Sequence, residues 1–415
     1  MNTEIPLELE SYPIISEEKI KSAAKIIEAN APKWDQPFFM DVYKYADIAE
    51  FKKICAPFVK DLKIKNLIIL GTGGSYQTMK AIDLFANKNI YYLVSSRPHE
   101  LAEILEKTTP EDSLVIPISR AGKTLDVNSI LYLFKDYKML ALSSLGPMFD
   151  LVKKLNATIL PVPDLSGRFA ASVCSVALVP ALLCGIDIEE FQKGLDEGYK
   201  FFKDLDNIKN NFALRYAAFL NELYPKGYRN IFSMPYSLWL EGLVGLFVQE
   251  ISESSGKEGN GFLGTYQAAP LCQHSVLELI LGGSKGHTTP LLWTTIQEPS
   301  DVDLKSFEKQ LEGQTGLSVI NYQLDATFQA LLEQGVPSSK ILLKSVSPYT
   351  IGFAIAFVQT IVYYYCLLTN VDWASNPLVN TGKKICNDAL DKKLDAKTLQ
   401  RSEERRVGKE CRSRW

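Results

Sequence analysis

The sequence predicts an α/β protein of two doubly wound parallel sheets with flanking helices. Three observations lead there. Short apolar runs, rich in β-branched residues, alternate with amphipathic stretches across residues 61–202. The same alternation returns, less regularly, across residues 203–390. Most runs close on glycine, serine or a turn just before a helical pattern begins, which is the signature of right-handed βαβ units.

Residues 1–60 read as an N-terminal helical segment. In the first half, Leu67–Leu70, Ile90–Val94, Leu114–Ile118, Met139–Leu142 and Thr158–Val162 are short enough and apolar enough to be buried strands. Between them Thr78–Ala86, His99–Leu105, Val127–Phe134 and Phe149–Leu155 have amphipathic helical spacing. Ala171–Leu183 and Ile188–Phe201 read as helices that close this unit near residue 202. In the second half, strands are expected at Asn230–Ser233, Pro290–Ile296, Leu317–Tyr322 and Ile341–Val346. Helices are expected at Leu238–Ser252, Ser275–Leu281, Asp325–Leu332 and 349–368. The last of these carries no formal charge and imitates a membrane span. However, Thr350, Gln359, Thr360 and Tyr363–Tyr365 are poor lipid-facing residues, so a buried core helix is expected instead. No low-complexity linker separates the halves, which are expected to pack tightly. Residues 391–415 read as a disordered or extraneous C-terminal tail, whose last fifteen residues, 401–415, lack periodicity and are dense in arginine.

Composition narrows the function. The 415 residues hold 45 Lys+Arg against 48 Asp+Glu, a net charge of -3, so no excess of cations is available for a nucleic-acid backbone. Hydrophobic content of 46% and charged content of 22% are those of a soluble globular chain. The seven cysteines form no C-x-x-C pair, which fits reduced thiols in a cytoplasmic protein. The three histidines, 99, 274 and 287, lack ligand-like spacing, and no metal or cofactor is expected. Met1–Glu4 does not begin a charged-then-apolar signal peptide, and no membrane partner is expected.

Two strand-to-helix turns suit an anion. In Leu70-Gly71-Thr72-Gly73-Gly74-Ser75, glycines let the backbone approach a ligand while the helix N-terminus presents free N–H groups. A dinucleotide fold would need its third glycine at Tyr76, and Ser95-Ser96-Arg97 after the next strand has no acid for a ribose. Ser119-Arg120-Ala121-Gly122-Lys123-Thr124 ends like a P-loop, but the first glycine of that motif falls on Pro117. Either turn alone is explained equally well as a tight connection. Two at one sheet edge predict a small phosphate.

Glu253 falls where a long apolar helix ends, in Glu253-Ser254-Ser255-Gly256-Lys257, and Gln249 lies one helical turn earlier. His274 sits in a second loop, Gln273-His274-Ser275. A carboxylate and an imidazole delivered by loops are what proton transfer on a neutral-pH substrate requires. Arg168, in Ser166-Gly167-Arg168-Phe169, and Lys383, in Thr381-Gly382-Lys383-Lys384, add two cations. Each is ordinary taken singly, since most Arg and Lys side chains are solvated. The set reads as an enzyme that moves a proton along a phosphorylated sugar.

At this point the chain resembles the glucose-6-phosphate isomerase family, whose members have two sugar-isomerase (SIS) domains. The matching motifs are Gly71–Ser75, Ser119–Thr124, Gly167-Arg168-Phe169, Glu253–Gly259, Gln273-His274-Ser275 and Gly382-Lys383-Lys384. They occur in the family's order and span roughly residues 60 to 390. The resemblance implies that Glu253 moves the proton between C2 and C1. It implies that His274 and Lys383 open the sugar ring and that Arg168 stabilises the enediolate. Gly74, Ser75, Ser119, Arg120, Lys123, Thr124 and Gln249 would bind the substrate. It also implies a homodimer, because in this family the histidine reaches the site from the other subunit.

The chain departs from the family at Ala121, Lys123 and Leu125, where serine or threonine is common, and at Asn376, where glutamine is frequent. Lys123 adds a point charge that replaces lost hydrogen bonds. These departures bear on which hexose phosphate is used. Two alternatives stand beside isomerisation of glucose 6-phosphate: another phosphosugar isomerase, also taking mannose 6-phosphate, and a non-catalytic SIS sugar-phosphate sensor.

Overall fold

The computed structural model describes residues 5–283, 287–305 and 308–391. Met1–Trp373 forms one compact unit, and Ala374–Trp415 forms a second. The expected tail at 391–415 lies outside the described residues apart from Asp391.

The first unit opens with strand β1 (Leu7–Tyr12) and helices α1 (Glu17–Asn30) and α2 (Ile48–Lys60). Then follow β2 (Asn66–Leu70), α3 (Gly74–Lys80), β3 (Asn89–Leu93), α4 (Pro98–Lys107), β4 (Ser113–Pro117) and α5 (Leu125–Asn128). Next come β5 (Lys138–Leu142), α6 (Gly146–Lys154), β6 (Thr158–Leu160), α7 (Gly167–Ala170), α8 (Ser175–Leu183), α9 (Ile188–Phe202) and α10 (Phe212–Leu223). The remainder is β7 (Asn230–Pro235), α11 (Leu238–Ser255), β8 (Leu263–Tyr266), α12 (Leu277–Gly282), β9 (Thr288–Thr295), α13 (Gly316–Glu333), β10 (Ser338–Leu343) and α14 (Pro348–Leu368). The second unit contains α15 (Val379–Asp391).

These elements make two five-stranded sheets, ordered β3-β2-β4-β5-β6 and β1-β10-β9-β7-β8. The first is wholly parallel. Its central strands, Asn66-Leu67-Ile68-Ile69-Leu70 and Ser113-Leu114-Val115-Ile116-Pro117, are buried at every position, as strands covered by helices on both faces must be. Strand order reverses direction between β2 and β4, the place where open α/β sheets bind ligands at their carboxyl ends.

The second sheet is parallel except for β1, which runs antiparallel to β10 with Leu7 opposite Leu343 and Tyr12 opposite Ser338. The N-terminal segment, expected to be helical, therefore also supplies an edge strand. Its alternation, with Leu7 and Leu9 buried and Glu8 and Glu10 exposed, is the one-sided pattern of such a strand.

One strand expectation is overturned. Leu317–Tyr322 is not a strand but the first part of α13. Its β-branched Val319 and Ile320 favoured a strand, but a reciprocal cap wins. Thr315 Oγ1 accepts from Ser318 N at 3.2 Å, and Ser318 Oγ accepts from Thr315 N at 2.9 Å. The helix then continues through the segment Asp325–Leu332, burying Leu324, Phe328 and Leu331. Strand β8 and helix α10 were not anticipated. β8 is four residues long and contains Gly264, and α10 follows an expected domain junction.

The segment 349–368 is a helix, α14, almost wholly buried against its neighbours. Ser347 and Thr350 cap it reciprocally. It crosses α9 so closely that a methyl on Gly194 would lie 1.9 Å from Tyr349 O, and one on Gly352 2.2 Å from Phe191 O. The polar residues that argued against a lipid-facing helix point into this packing: Tyr364 donates to Phe202 O at 2.6 Å, and Gln359 joins a buried network.

Candidate active site

The two anion-friendly turns stand side by side at the switch point of the first sheet. Ile118 N donates to Leu70 O at 2.8 Å, and Gly71 approaches Ile118, since a methyl on Gly71 would lie 3.4 Å from Ile118 Cβ. Gly73 has φ +61°, a conformation that glycine adopts without strain, and it delivers the chain into α3. The first backbone bond of α3 is donated by Tyr76 to Gly73 O, so the amides of Gly74 and Ser75 precede the helical ladder. In the second turn Ser119 and Thr124 place their hydroxyls 2.9 Å apart. Gly122, at φ +61°, packs so tightly that a methyl there would lie 2.2 Å from Leu145 O.

Arg120 and Lys123 differ in placement. One nitrogen of the Arg120 guanidinium, Nη1, meets both Asp164 Oδ1 and Leu165 O at 2.7 Å. Arg120 thereby ties the second turn to the loop that leads into Arg168. Lys123 is exposed and forms no ion pair among the described residues.

Arg168 is the centre of the site. It follows Gly167 in α7 and is 4% exposed. Its Nε donates to Ser254 Oγ at 2.7 Å, its Nη2 to Trp373 O at 2.5 Å, and its Nη1 lies 3.5 Å from Glu253 Oε1. Burial lowers the guanidinium's pKa, while Glu253 first and then Glu250 oppose the change. Arginine remains charged through such a shift. Phe169 and Trp373, with ring centroids 5.0 Å apart, brace the turn from behind.

Glu253 is held from two sides. Gln249, one turn earlier on α11, donates to Glu253 Oε2 at 3.1 Å, and Arg168 approaches the other oxygen. The Glu253 side chain keeps 22% of its exposure, so a ligand can reach the carboxylate. Gly73 and Gly74 bring the first turn onto the same cluster. A methyl on Gly73 would lie 3.2 Å from Gln249 Nε2, and one on Gly74 2.6 Å from Gly167 O. Gly74, Arg168, Gln249 and Glu253 thus form one continuous surface.

His274 is not part of that surface in one chain. It is exposed at the end of a short turn, Leu271–His274, that follows β8. Its neighbour Gln273 donates to Tyr236 Oη at 2.7 Å, just before α11 begins, whereas Glu253 lies in the last turn of that helix. At 1.5 Å per residue the 18 residues of α11 separate its two ends by about 27 Å. Lys383 lies, exposed, on α15 of the second unit.

Two residues went unread in the sequence. Lys257 donates to Asp372 O, and burial lowers its pKa, which sets a second cation near Glu253 and Arg168. Its place in the Glu253–Gly259 motif was the available signal. Glu250 is wholly buried one turn behind the site. Nothing in an apolar helix marks which carboxylate faces inward.

No family model matches the chain. The glucose-6-phosphate isomerase of Methanocaldococcus jannaschii is 26% identical over 337 residues, covering 78% of this chain and 83% of the relative. That of Campylobacter jejuni is 27% identical over 370 residues, covering 80% and 87%. This chain is similar to glucose-6-phosphate isomerases over most of its length. Solved structures show the same fold. A glucose-6-phosphate isomerase from Chlamydia trachomatis superposes with a TM-score of 0.80 at 17% identity, covering 98% of this chain and 92% of its own. A hypothetical protein from Thermus thermophilus gives 0.79 at 21% identity, covering 89% and 94%. The α/β fold with helix-flanked parallel sheets is the one these two structures share with this chain.

The contact between Gly74 and the Gly167-Arg168 backbone yields a test. Glycine 74 replaced by alanine cannot seat the turn against Gly167 O, and overpacking of this kind costs about 1–3 kcal/mol. Gly74→Ala is expected to weaken binding of a sugar phosphate about tenfold by titration calorimetry, with far-UV circular dichroism unchanged. Undiminished affinity would separate this turn from the ligand.

Proposed function

We propose that the chain interconverts glucose 6-phosphate and fructose 6-phosphate through an enediolate, with Glu253 as the base. The observation that carries this reading is the carboxylate of Glu253, reachable by ligand and fixed between Gln249 and the buried guanidinium of Arg168. A carboxylate is a weak base toward a carbon acid, so the developing enediolate needs fixed positive charge beside it. Arg168 supplies that charge from a site whose hydrogen bonds already fix its orientation.

In the proposed reaction the phosphate rests on the amides of Gly74 and Ser75 and on the hydroxyls of Ser75, Ser119 and Thr124, with Lys123 adding charge from the rim. Arg120 acts through the loop at Asp164 and Leu165. Glu253 takes the C2 proton of the open aldose, electrons move onto the C1 oxygen, and the cis-enediolate forms beside Arg168. The hydroxyl proton on the C2 oxygen passes to the C1 oxygen, and the same carboxyl then returns a proton to C1 while the C2 oxygen becomes the ketone carbonyl. Gln249 holds the carboxylate's second oxygen throughout. His274 and Lys383 are assigned to ring opening. A cytoplasmic homodimer is part of the proposal, supported by the length of α11 between Glu253 and the loop of His274: a second copy of the chain must bring its histidine to the site.

Two experiments test this reading. Glu253→Gln is expected to lower kcat in a coupled assay with fructose 6-phosphate by about a thousandfold or more, while sugar-phosphate binding changes little; near-normal turnover would remove Glu253 as the base. Co-refolding inactive Glu253→Gln with inactive His274→Ala tests the shared site. A hybrid two-fold dimer has one intact site of two, so a statistical mixture is expected to recover about a quarter of wild-type activity. No recovery, with hybrids present by mass spectrometry, would place both residues in one chain's site or take His274 out of it.

A further inference from the structure

Glu250 is a buried carboxyl to which the proposed mechanism gives no task. It is 0% exposed, on α11 between Gln249 and Glu253 in sequence but turned away from them into the core. Its Oε1 accepts from Gln359 Nε2 at 2.7 Å, and its Oε2 is buried without a hydrogen-bond partner among the described residues. Gln359 Oε1 in turn accepts from Tyr199 Oη, and from Ser172 Oγ at 3.4 Å. The single Ser172 hydroxyl proton is shared with Phe169 O, 3.3 Å away, on the residue after Arg168. The network therefore runs from α11 through α14 to the turn that carries the guanidinium.

The charged and titratable groups facing Glu250 come from three elements. They are Arg168 on α7, Glu253 on α11 and Tyr199 on α9, while α14 presents the neutral Gln359. One guanidinium thus has two carboxyls within electrostatic reach. Arg168 is in ion-pair contact with Glu253 and also donates to Ser254 Oγ and Trp373 O. A carboxylate at Glu250 would leave one charged oxygen in the core with no donor, which costs far more than a neutral hydroxyl in the same place.

Resting on the isomerase reading above, we propose that Glu250 is a positioning residue: a neutral carboxylic acid that, with Gln359, closes off the back of Arg168, so that the positive field acts on Glu253 and the enediolate alone. Were Glu250 ionised, the guanidinium would be neutralised from behind, and its stabilisation of the transition state would shrink. Burial, the largest influence, pushes the Glu250 carboxyl well above its ordinary value of 4.5, and the bond from Gln359 and the charge of Arg168 only partly oppose it.

The sign of a stability measurement decides the charge. A carboxyl more readily protonated in the fold than in the unfolded chain stabilises the fold fully below its unfolded value. That contribution declines as pH rises toward the folded value. The Tm of Glu250→Gln minus that of wild type is therefore expected to grow by roughly 5 °C between pH 5 and pH 8. A difference that stays flat or turns more negative with pH would overturn the proposal, because an ionised Glu250 paired with Arg168 behaves in that way. Glu250→Leu, which also lacks the proton site, must show the same sign. The wild-type infrared spectrum at pH 8 must contain a protonated-carboxyl stretch, and its absence would equally overturn the idea.

Kinetics test the positioning. Glu250→Leu leaves the Gln359 amide unpaired and is expected to lower kcat about tenfold with KM within about threefold. Glu250→Gln restores kcat to within about threefold of wild type and leaves the acid limb of the pH profile unmoved. An acid limb displaced to lower pH in Glu250→Gln, or an unimpaired Glu250→Leu, would refute it. If wild type itself fails to turn over hexose phosphates, the isomerase reading falls, while the Tm series still reports the charge of Glu250.

Discussion

A buried guanidinium is costly unless every direction of its planar fork meets an acceptor. At Arg168 that requirement draws together two distant parts of the chain, Glu253 and Ser254 at the end of α11 and the Trp373 carbonyl after α14, while the preceding Gly167 packs against Gly74 in the first glycine turn. The same bonds that satisfy the charge also fix its direction. A cation held in this way does not reorganise when negative charge develops beside it, the condition under which electrostatic stabilisation is most effective. Loss of any one acceptor therefore affects the fold and the chemistry together.

Glycine makes these approaches possible. Gly73 needs φ +61°, and Gly74 needs bare backbone against Gly167 O. Away from the site, Gly194 and Gly352 let α9 and α14 cross at backbone contact, which sets the Gln359 side chain where it meets both Glu250 and Tyr199. The long apolar helix is thus more than filler. It carries the amide that joins the floor of the site to the core.

Much of this was written in the sequence. Five short strands in the first half were visible because a wholly parallel sheet buries both faces of each strand and leaves uninterrupted apolar runs. The glycine turns were visible because they end such runs. In the second half the signal weakened. β8 has only four residues, so the alternation was too short to read. Leu317–Tyr322 looked like a strand, but the cap between Thr315 and Ser318 fixed the first turn of a helix. Among site residues, the convergence of Glu253, Gln249, Arg168 and Gly74 followed from motif order. The diversion of Arg120 to Asp164 did not, because residues 120 and 164 come from different strand ends and no local pattern links them. The distance of His274 from Glu253 became plain only once α11 was seen to run its full length between them. Glu250 stayed hidden because burial of a carboxyl is a property of packing, not of pattern.

The central claim is that one carboxylate relays hydrogen between adjacent carbons of the sugar. Solvent isotope exchange measures that relay directly. With fructose 6-phosphate in deuterium oxide, followed by nuclear magnetic resonance, the wild-type chain is expected to yield glucose 6-phosphate carrying deuterium at C2, and Glu253→Gln is expected to yield none. Deuterium incorporation by Glu253→Gln at the wild-type rate would contradict the account, because some other group would then be moving the proton.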